Sequence, residues 1–136
     1  MTKEQIIELN KLNDLTNRII GAAIDVHKEL GPGLLESIYE TCLIEELALR
    51  GIHSESQVEL PLYYKGKLLD KNFRIDILVE NEIVIELKSV DELKPIHEVQ
   101  LVSYLKLSNK KLGLLINFNV PLLRDGIKRR VNGFYY

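Results

Sequence analysis

Apolar residues recur with helical spacing over residues 14–30 (DLTNRIIGAAIDVHKEL), where Leu15, Ile19, Ile20, Ala22, Ala23, Val26 and Leu30 form a stripe. Gly31-Pro32-Gly33 predicts the end of that helix. A second helix is predicted over roughly 34–50, with Ile38, Cys42, Leu43, Leu47 and Leu49 buried and Gly51 as its stop. The period then changes to two. Val58, Leu60, Leu62 and Tyr64 alternate with polar neighbours as a strand, and Lys65-Gly66-Lys67 reads as its turn. A second strand carries Phe73, Ile75, Ile77 and Val79 on one face, with Arg74, Asp76 and Leu78 on the other. After Glu80-Asn81-Glu82 a third strand runs from Ile83 to Val90, with Ile83, Ile85 and Leu87 opposite Val84, Glu86 and Lys88. Pro95 opens a third helix over about 95–108. Leu112 to Phe118 is a continuous apolar strand of the fully buried kind, and Gly126 to Phe134 reads as a last strand or an arm.

The predicted order is therefore α-α-β-β-β-α-β, with extra structure at both ends. No repeat or low-complexity linker divides the 136 residues, so one domain over 1–136 is expected. A hydrophobic fraction of 46% and a charged fraction of 28% suit a soluble globular chain with a core of its own. Cys42 is the single cysteine, which excludes an internal disulfide and any cluster built on several thiolates, and fits a reducing cytoplasmic setting. No apolar run has the length of a membrane span, and the opening residues lack the apolar core of a signal peptide. A cytoplasmic protein without a membrane partner is the expectation.

Charge is uneven along the chain. From Lys106 onward seven basic residues (Lys106, Lys110, Lys111, Arg124, Lys128, Arg129, Arg130) face one acid, Asp125, whereas the first 105 residues carry 11 basic and 19 acidic side chains. A basic end on an acidic body is compatible with holding a phosphate backbone near a cation site, and equally with a solvated surface.

Strand alternation places Glu86 and Lys88, two apart, on one face of the third strand. If Glu80-Asn81-Glu82 is a three-residue loop, Val79 pairs with Ile83, Asp76 lies across from Glu86, and Arg74 across from Lys88. A two-residue loop would put the two carboxylates on opposite faces. Adjacent carboxylates among Ile and Val residues repel one another unless a positive charge stands between them. Mg²⁺ (or Mn²⁺) suits such a pair, completing its shell with waters and phosphate oxygens. Lys88 can then contact an attacking water or stabilise developing negative charge, an arrangement for metal-assisted phosphodiester hydrolysis. The same residues are also consistent with a solvated charged sheet face, in which Arg74 and Lys88 are ordinary cross-strand partners.

Asp76 followed by Glu86-Leu87-Lys88 resembles the D-(D/E)xK signature of the PD-(D/E)XK, or restriction-endonuclease-like, nuclease superfamily. Gly33-Leu34-Leu35-Glu36-Ser37-Ile38-Tyr39 resembles the motif that names the GxxExxY family within it, and Gln100-Leu101-Val102-Ser103-Tyr104 is similar to the Q-x-x-x-Y pattern of RecB-like nucleases. The resemblance runs over nearly the whole chain. It implies a restriction-endonuclease-like α/β core, a central mixed sheet flanked by helices. It also implies that Asp76, Glu86 and Glu36 hold the metal, that Lys88 is the catalytic lysine, and that Gln100 and Tyr104 approach the site from the third helix. Ile75 stands where many superfamily members have proline. Taken singly, Glu36 also suits a first helical turn, and Gln100 with Tyr104 also suits ordinary packing.

Competing chemistries find less support. His27, His53 and His97 show no paired ligand spacing for zinc, and Gly31-Pro32-Gly33 lacks the Gly-Lys-Ser/Thr ending of a phosphate-binding loop. Cys42 sits in a helix's apolar stripe, and Ser103 has no His–acid pair near it in sequence. The sequence thus points to a Mg²⁺- or Mn²⁺-dependent nuclease-like protein acting on DNA or RNA. The alternative is a catalytically inactive nucleic-acid- or protein-binding module that retains the fold. A homodimer, or a subunit of a larger assembly docking through Leu122, Leu123, Phe134 and Tyr135, is a third expectation.

Overall fold

The Thr2 hydroxyl accepts the Gln5 amide while the Gln5 side chain accepts the Thr2 amide, a capping box that starts a helix. In the computed structural model, which describes residues 1–133, this helix α1 runs Lys3–Leu30 and not only from residue 14. Its inner stripe extends the predicted one backwards through Leu9, Leu12 and Thr16 to Ile19, Ala23 and Val26, in alternating steps of three and four. Gly31, at φ 71, ends it in a conformation that disfavours a side chain.

Helix α2 (Glu36–Leu49) buries Leu43 and Leu47 as predicted, but not the whole predicted face. Tyr39, Leu43 and Leu47 are its buried residues, Cys42 is half-buried, and Ile38 and Leu49 are exposed. The cause is Tyr39, whose ring stacks on Phe118 at 4.4 Å and sets the rotation of the helix.

Five strands form one sheet in the order β1-β2-β3-β4-β5: β1 (Ser54–Tyr64), β2 (Lys67–Val79), β3 (Ile83–Lys88), β4 (Leu112–Asn117) and β5 (Ile127–Val131). The β1–β2 turn has two residues, not three. Lys65 and Gly66 both take positive φ, as a tight primed hairpin requires. Helix α3 (Pro95–Ser108) carries the chain from β3 to β4, which therefore pair in parallel, while the other pairs are antiparallel. The result is the mixed α/β sheet flanked by helices that was expected.

The two sheet faces bury different residues. Ile77, Val79, Ile83, Ile85, Leu87, Leu114 and Ile116 pack with α1 and α2. Ile75, Leu78, Val84 and Leu115 pack with Leu101 and Leu105 of α3. The β2 alternation thus changes phase at Asp76: Phe73 and Ile75 belong to the α3 side, Ile77 and Val79 to the other. Opposite this point Gln57 takes φ 52, and Gln57 and Asp76 drop out of the β1–β2 pairing, which resumes in the same register at Val58 and Ile75 and shifts only further on, between Pro61 and Tyr63. The expectation of one continuous apolar face on β2 is corrected accordingly.

Two more expectations change. Leu123 lies in the core, so it is not available to an interface, whereas Leu122 is exposed. Phe134 and Tyr135 fall outside the described residues. No helix of the described residues is long and apolar enough to cross a membrane.

Gly113 of β4 lets α3 sit close to the sheet. A Cβ there would come within 2.8 Å of Leu101 and 3.2 Å of the Val84 carbonyl oxygen. Gly113→Val is expected to lower stability by about 1–3 kcal/mol through overpacking, measured by denaturant unfolding. Unchanged stability would mean that α3 stands off from the sheet.

Candidate functional site

Val79 pairs with Ile83, Leu78 with Val84 and Ile77 with Ile85, the register that the three-residue loop requires. Beyond Ile77 and Ile85 the ladder stops, one step before Asp76 and Glu86. The Leu87 amide donates to Asp76 Oδ2 at 2.8 Å, and the Asp76 amide donates to Glu86 Oε1 at 3.4 Å. Each carboxylate thus takes an amide from the other's strand, which holds the two acids face to face. The expected pairing of Arg74 with Lys88 does not form, because β2 has left β3 by that point and Arg74 pairs with Glu59 of β1.

Glu86 is only 6% exposed. Burial above all, then the negative charge of Asp76, pushes its carboxyl up to about 9, against an opposing pull from the Asp76 amide and Lys88. Metal-free, Glu86 therefore keeps its proton at neutral pH, and the pair carries less charge than two free carboxylates. Such a site fits a divalent cation: two oxygen donors already converge, and a cation would replace the proton that now relieves their repulsion. Lys88 is half-buried on the Val84–Glu86 side of β3, and its ammonium has no hydrogen bond or ion pair among the described residues.

The strand end that carries Lys88 is braced from behind. Tyr39 is fully buried; its hydroxyl donates to the Gly31 carbonyl at 2.6 Å and accepts the Leu34 amide at 3.1 Å. That fixes the loop containing Gly33, which takes φ 95, where only glycine is at ease. Leu34 in turn accepts the Ser89 hydroxyl at 2.6 Å. From the other side, the buried Asn117 amide group donates to the Val90 carbonyl and accepts the Val90 amide. This ends β3 at Lys88, short of the predicted Val90.

Glu36, the first residue of α2, is exposed, and its carboxylate accepts the Ser89 amide at 3.3 Å. Among the described residues no three His, Cys, Asp or Glu side chains gather as a metal-binding group. The expected third ligand is therefore not gathered with Asp76 and Glu86; it is bonded to Ser89 instead. Gln100 and Tyr104 do share a face of α3, where the Gln100 amide donates to the Tyr104 hydroxyl at 3.2 Å. The Tyr104 ring packs 5.7 Å from Phe73, on the sheet face of Val84. Neither residue is hydrogen-bonded to the acids among the described residues.

Ser89 and Asn117 were not singled out from sequence. Asn117 left one signal, a lone amide in the otherwise apolar LGLLINF run, whereas Ser89 left none. His27 and His97 have local work: the His27 Nε2 bonds the Val120 carbonyl at 2.8 Å, and His97 Nδ1 accepts the Lys94 amide at the start of α3.

A model of the PD-(D/E)XK nuclease superfamily matches residues 13–130. Among solved structures, the chain is similar to the crystal structure of a protein designated SSO0001, with 27% identity and a TM-score of 0.50. The match covers 74% of this chain and 52% of that one, so the chain spans about half the length of its structural relative. No curated protein matches.

The raised Glu86 carboxyl gives a pH test in the absence of metal. Between about 4.5, its ordinary value, and about 9 the folded state holds a proton that the unfolded chain has lost. The stability this proton contributes is complete below pH 4.5 and falls as pH rises towards 9. Glu86→Gln is expected to raise the thermal midpoint in chelator, by an amount that grows from pH 5 to pH 9. A constant difference across that range would mean that Glu86 titrates normally.

Proposed function

The chain belongs to the PD-(D/E)XK nuclease superfamily, and from that premise we propose that it is a Mg²⁺- or Mn²⁺-dependent nuclease hydrolysing phosphodiester bonds of DNA or RNA. The observation that carries the reading is the meeting of Asp76 and Glu86 where β2 and β3 part, with Lys88 on the same strand two residues beyond Glu86.

In this mechanism Asp76 and Glu86 hold the cation. When bound, it supplies a Lewis acid for the phosphoryl oxygens and lowers the pKa of a coordinated water. The Leu87 amide keeps Asp76 in its orientation, so little reorganisation is needed at the moment of reaction. Glu86 gives up its proton to bind, and cation affinity rises with pH as a consequence. The Lys88 ammonium, whose charge acts on Glu86 but which makes no hydrogen bond or ion pair among the described residues, would contact the attacking water or the charge that develops on the phosphoryl group. Glu36, bonded to the Ser89 amide, would supply a further carboxylate to a bound cation if that bond opened. Gln100 and Tyr104 act from α3 as positioning groups for the bound strand.

A second reading, a nucleic-acid-binding module without cleavage, is favoured by one observation. Glu36 is taken up by the Ser89 amide, and among the described residues no third acid joins Asp76 and Glu86.

Cleavage of labelled single- and double-stranded DNA and RNA in Mg²⁺ or Mn²⁺ separates the two. Glu86→Ala and Lys88→Ala are each expected to reduce cleavage on the order of 10²-fold or more while the fold persists, and chelator abolishes it. Equal cleavage by the variants, or in excess chelator, would exclude this mechanism. Binding without cleavage by the native chain in Mn²⁺ would select the second reading.

A further inference from the structure

The β1–β2 hairpin runs on past the sheet. Below Ile77, β2 has no partner but β1, so the strands become a two-stranded ribbon whose tip is Tyr64-Lys65-Gly66-Lys67. At roughly 3.3 Å per residue, β2 extends about 30 Å from Asp76 to Lys67. Only the ribbon's base is covered: Val58, Leu60, Phe73 and Ile75 pack under α3, with Tyr104. Towards the tip Tyr63 is 57% exposed, Tyr64 61% and Leu68 58%.

Charge distinguishes this apolar surface from an ordinary docking patch. Between Tyr63 and Lys71 there are three lysines, Lys65, Lys67 and Lys71, against one acid, Asp70, in a chain of net charge −2. Arg74 continues the series towards Asp76, with one further acid, Glu59, opposite it on β1. All four cations are exposed, and none makes an ion pair or side-chain hydrogen bond among the described residues, though Lys65 lies 5.5 Å above the Tyr64 ring. The C-terminal cations Lys111, Arg129 and Arg130, by contrast, are engaged inside the fold. Cations interleaved with exposed tyrosines match a chain of phosphates with unpaired bases, because phosphates take the lysines and open base faces stack on the rings. A duplex hides those base faces.

We propose that the β1–β2 ribbon is an arm that grips single-stranded nucleic acid and leads it along β2 to Asp76. The inference deepens the nuclease reading and rests on it for the destination of the strand, but the grip itself needs no cleavage. Continuity supports it, since the strand that carries the lysines is the one that carries the first carboxylate.

The test is fluorescence anisotropy of a labelled single-stranded oligonucleotide and its duplex with the whole chain. It is run in Ca²⁺ in place of Mg²⁺ and repeated over a range of salt. The single strand is expected to bind more tightly than the duplex. Tyr63→Ala with Tyr64→Ala should weaken it roughly tenfold or more. Lys65→Ala with Lys67→Ala should reduce the slope of log affinity against log salt by about 0.7 for each phosphate contact removed. Lys128→Ala, on the far edge strand β5, should leave the slope unchanged. All variants alter exposed residues, and matched thermal midpoints check their folding. Absence of binding, equal affinity for the duplex, unchanged affinity in both ribbon variants, or the same slope change from Lys128→Ala would overturn the proposal. So would ribbon variants that alter only the size of the protein in solution, which would mark a protein-docking tip. Ribbon-dependent binding by a chain that cleaves nothing would leave the arm standing and remove the nuclease reading.

Discussion

Two amides decide the shape of the centre. The Leu87 amide bonds Asp76 and the Asp76 amide bonds Glu86, at the point where β2 and β3 stop pairing. The exchange satisfies the backbone as the strands part and brings two acids together in a place that is nearly dry. Placing a second carboxylate there is costly, which is why Glu86 retains its proton. The strain is local and is contained by what surrounds it. Both sheet faces beside the pair are packed, one against α1 and α2, the other against α3. The end of β3 is held by Tyr39 through Leu34 and Ser89, and by Asn117 through Val90.

The glycine–glutamate–tyrosine motif has a physical meaning in that frame. Gly33 permits the turn, Tyr39 ties both ends of it from inside the core, and Glu36 receives the amide of the residue after Lys88. Tyr39 is thus a positioning residue that acts through the loop and the strand end. Glu36 is tied to the end of β3 by its bond to the Ser89 amide and, among the described residues, is not gathered with the two acids.

Much of this was legible from local pattern. The α3 span, the three-residue β2–β3 loop and the Val79–Ile83 register follow from alternation and a proline, which are short-range signals. What escaped depends on distant partners. The rotation of α2 is set by Tyr39 stacking on Phe118, and Ile38 and Leu49 consequently face outward. The phase change at Asp76 depends on the backbone of Gln57 on the neighbouring strand. The early start of α1 was written locally, in Thr2 and Gln5, but its weaker apolar stripe through Leu9 and Leu12 hid it. The basic C-terminal segment was compatible with a phosphate-binding surface or a solvated one, and the fold turns several of its cations onto Glu8, Asn13 and Glu98.

The central claim is that Asp76 and Glu86 form one cation site, and a crystal soaked in Mn²⁺ tests it most directly. The expected result is an anomalous peak between the two carboxylates, within first-shell distance of both, that disappears in Glu86→Ala. No peak at saturating Mn²⁺, with the two carboxyl groups turned apart, would contradict it.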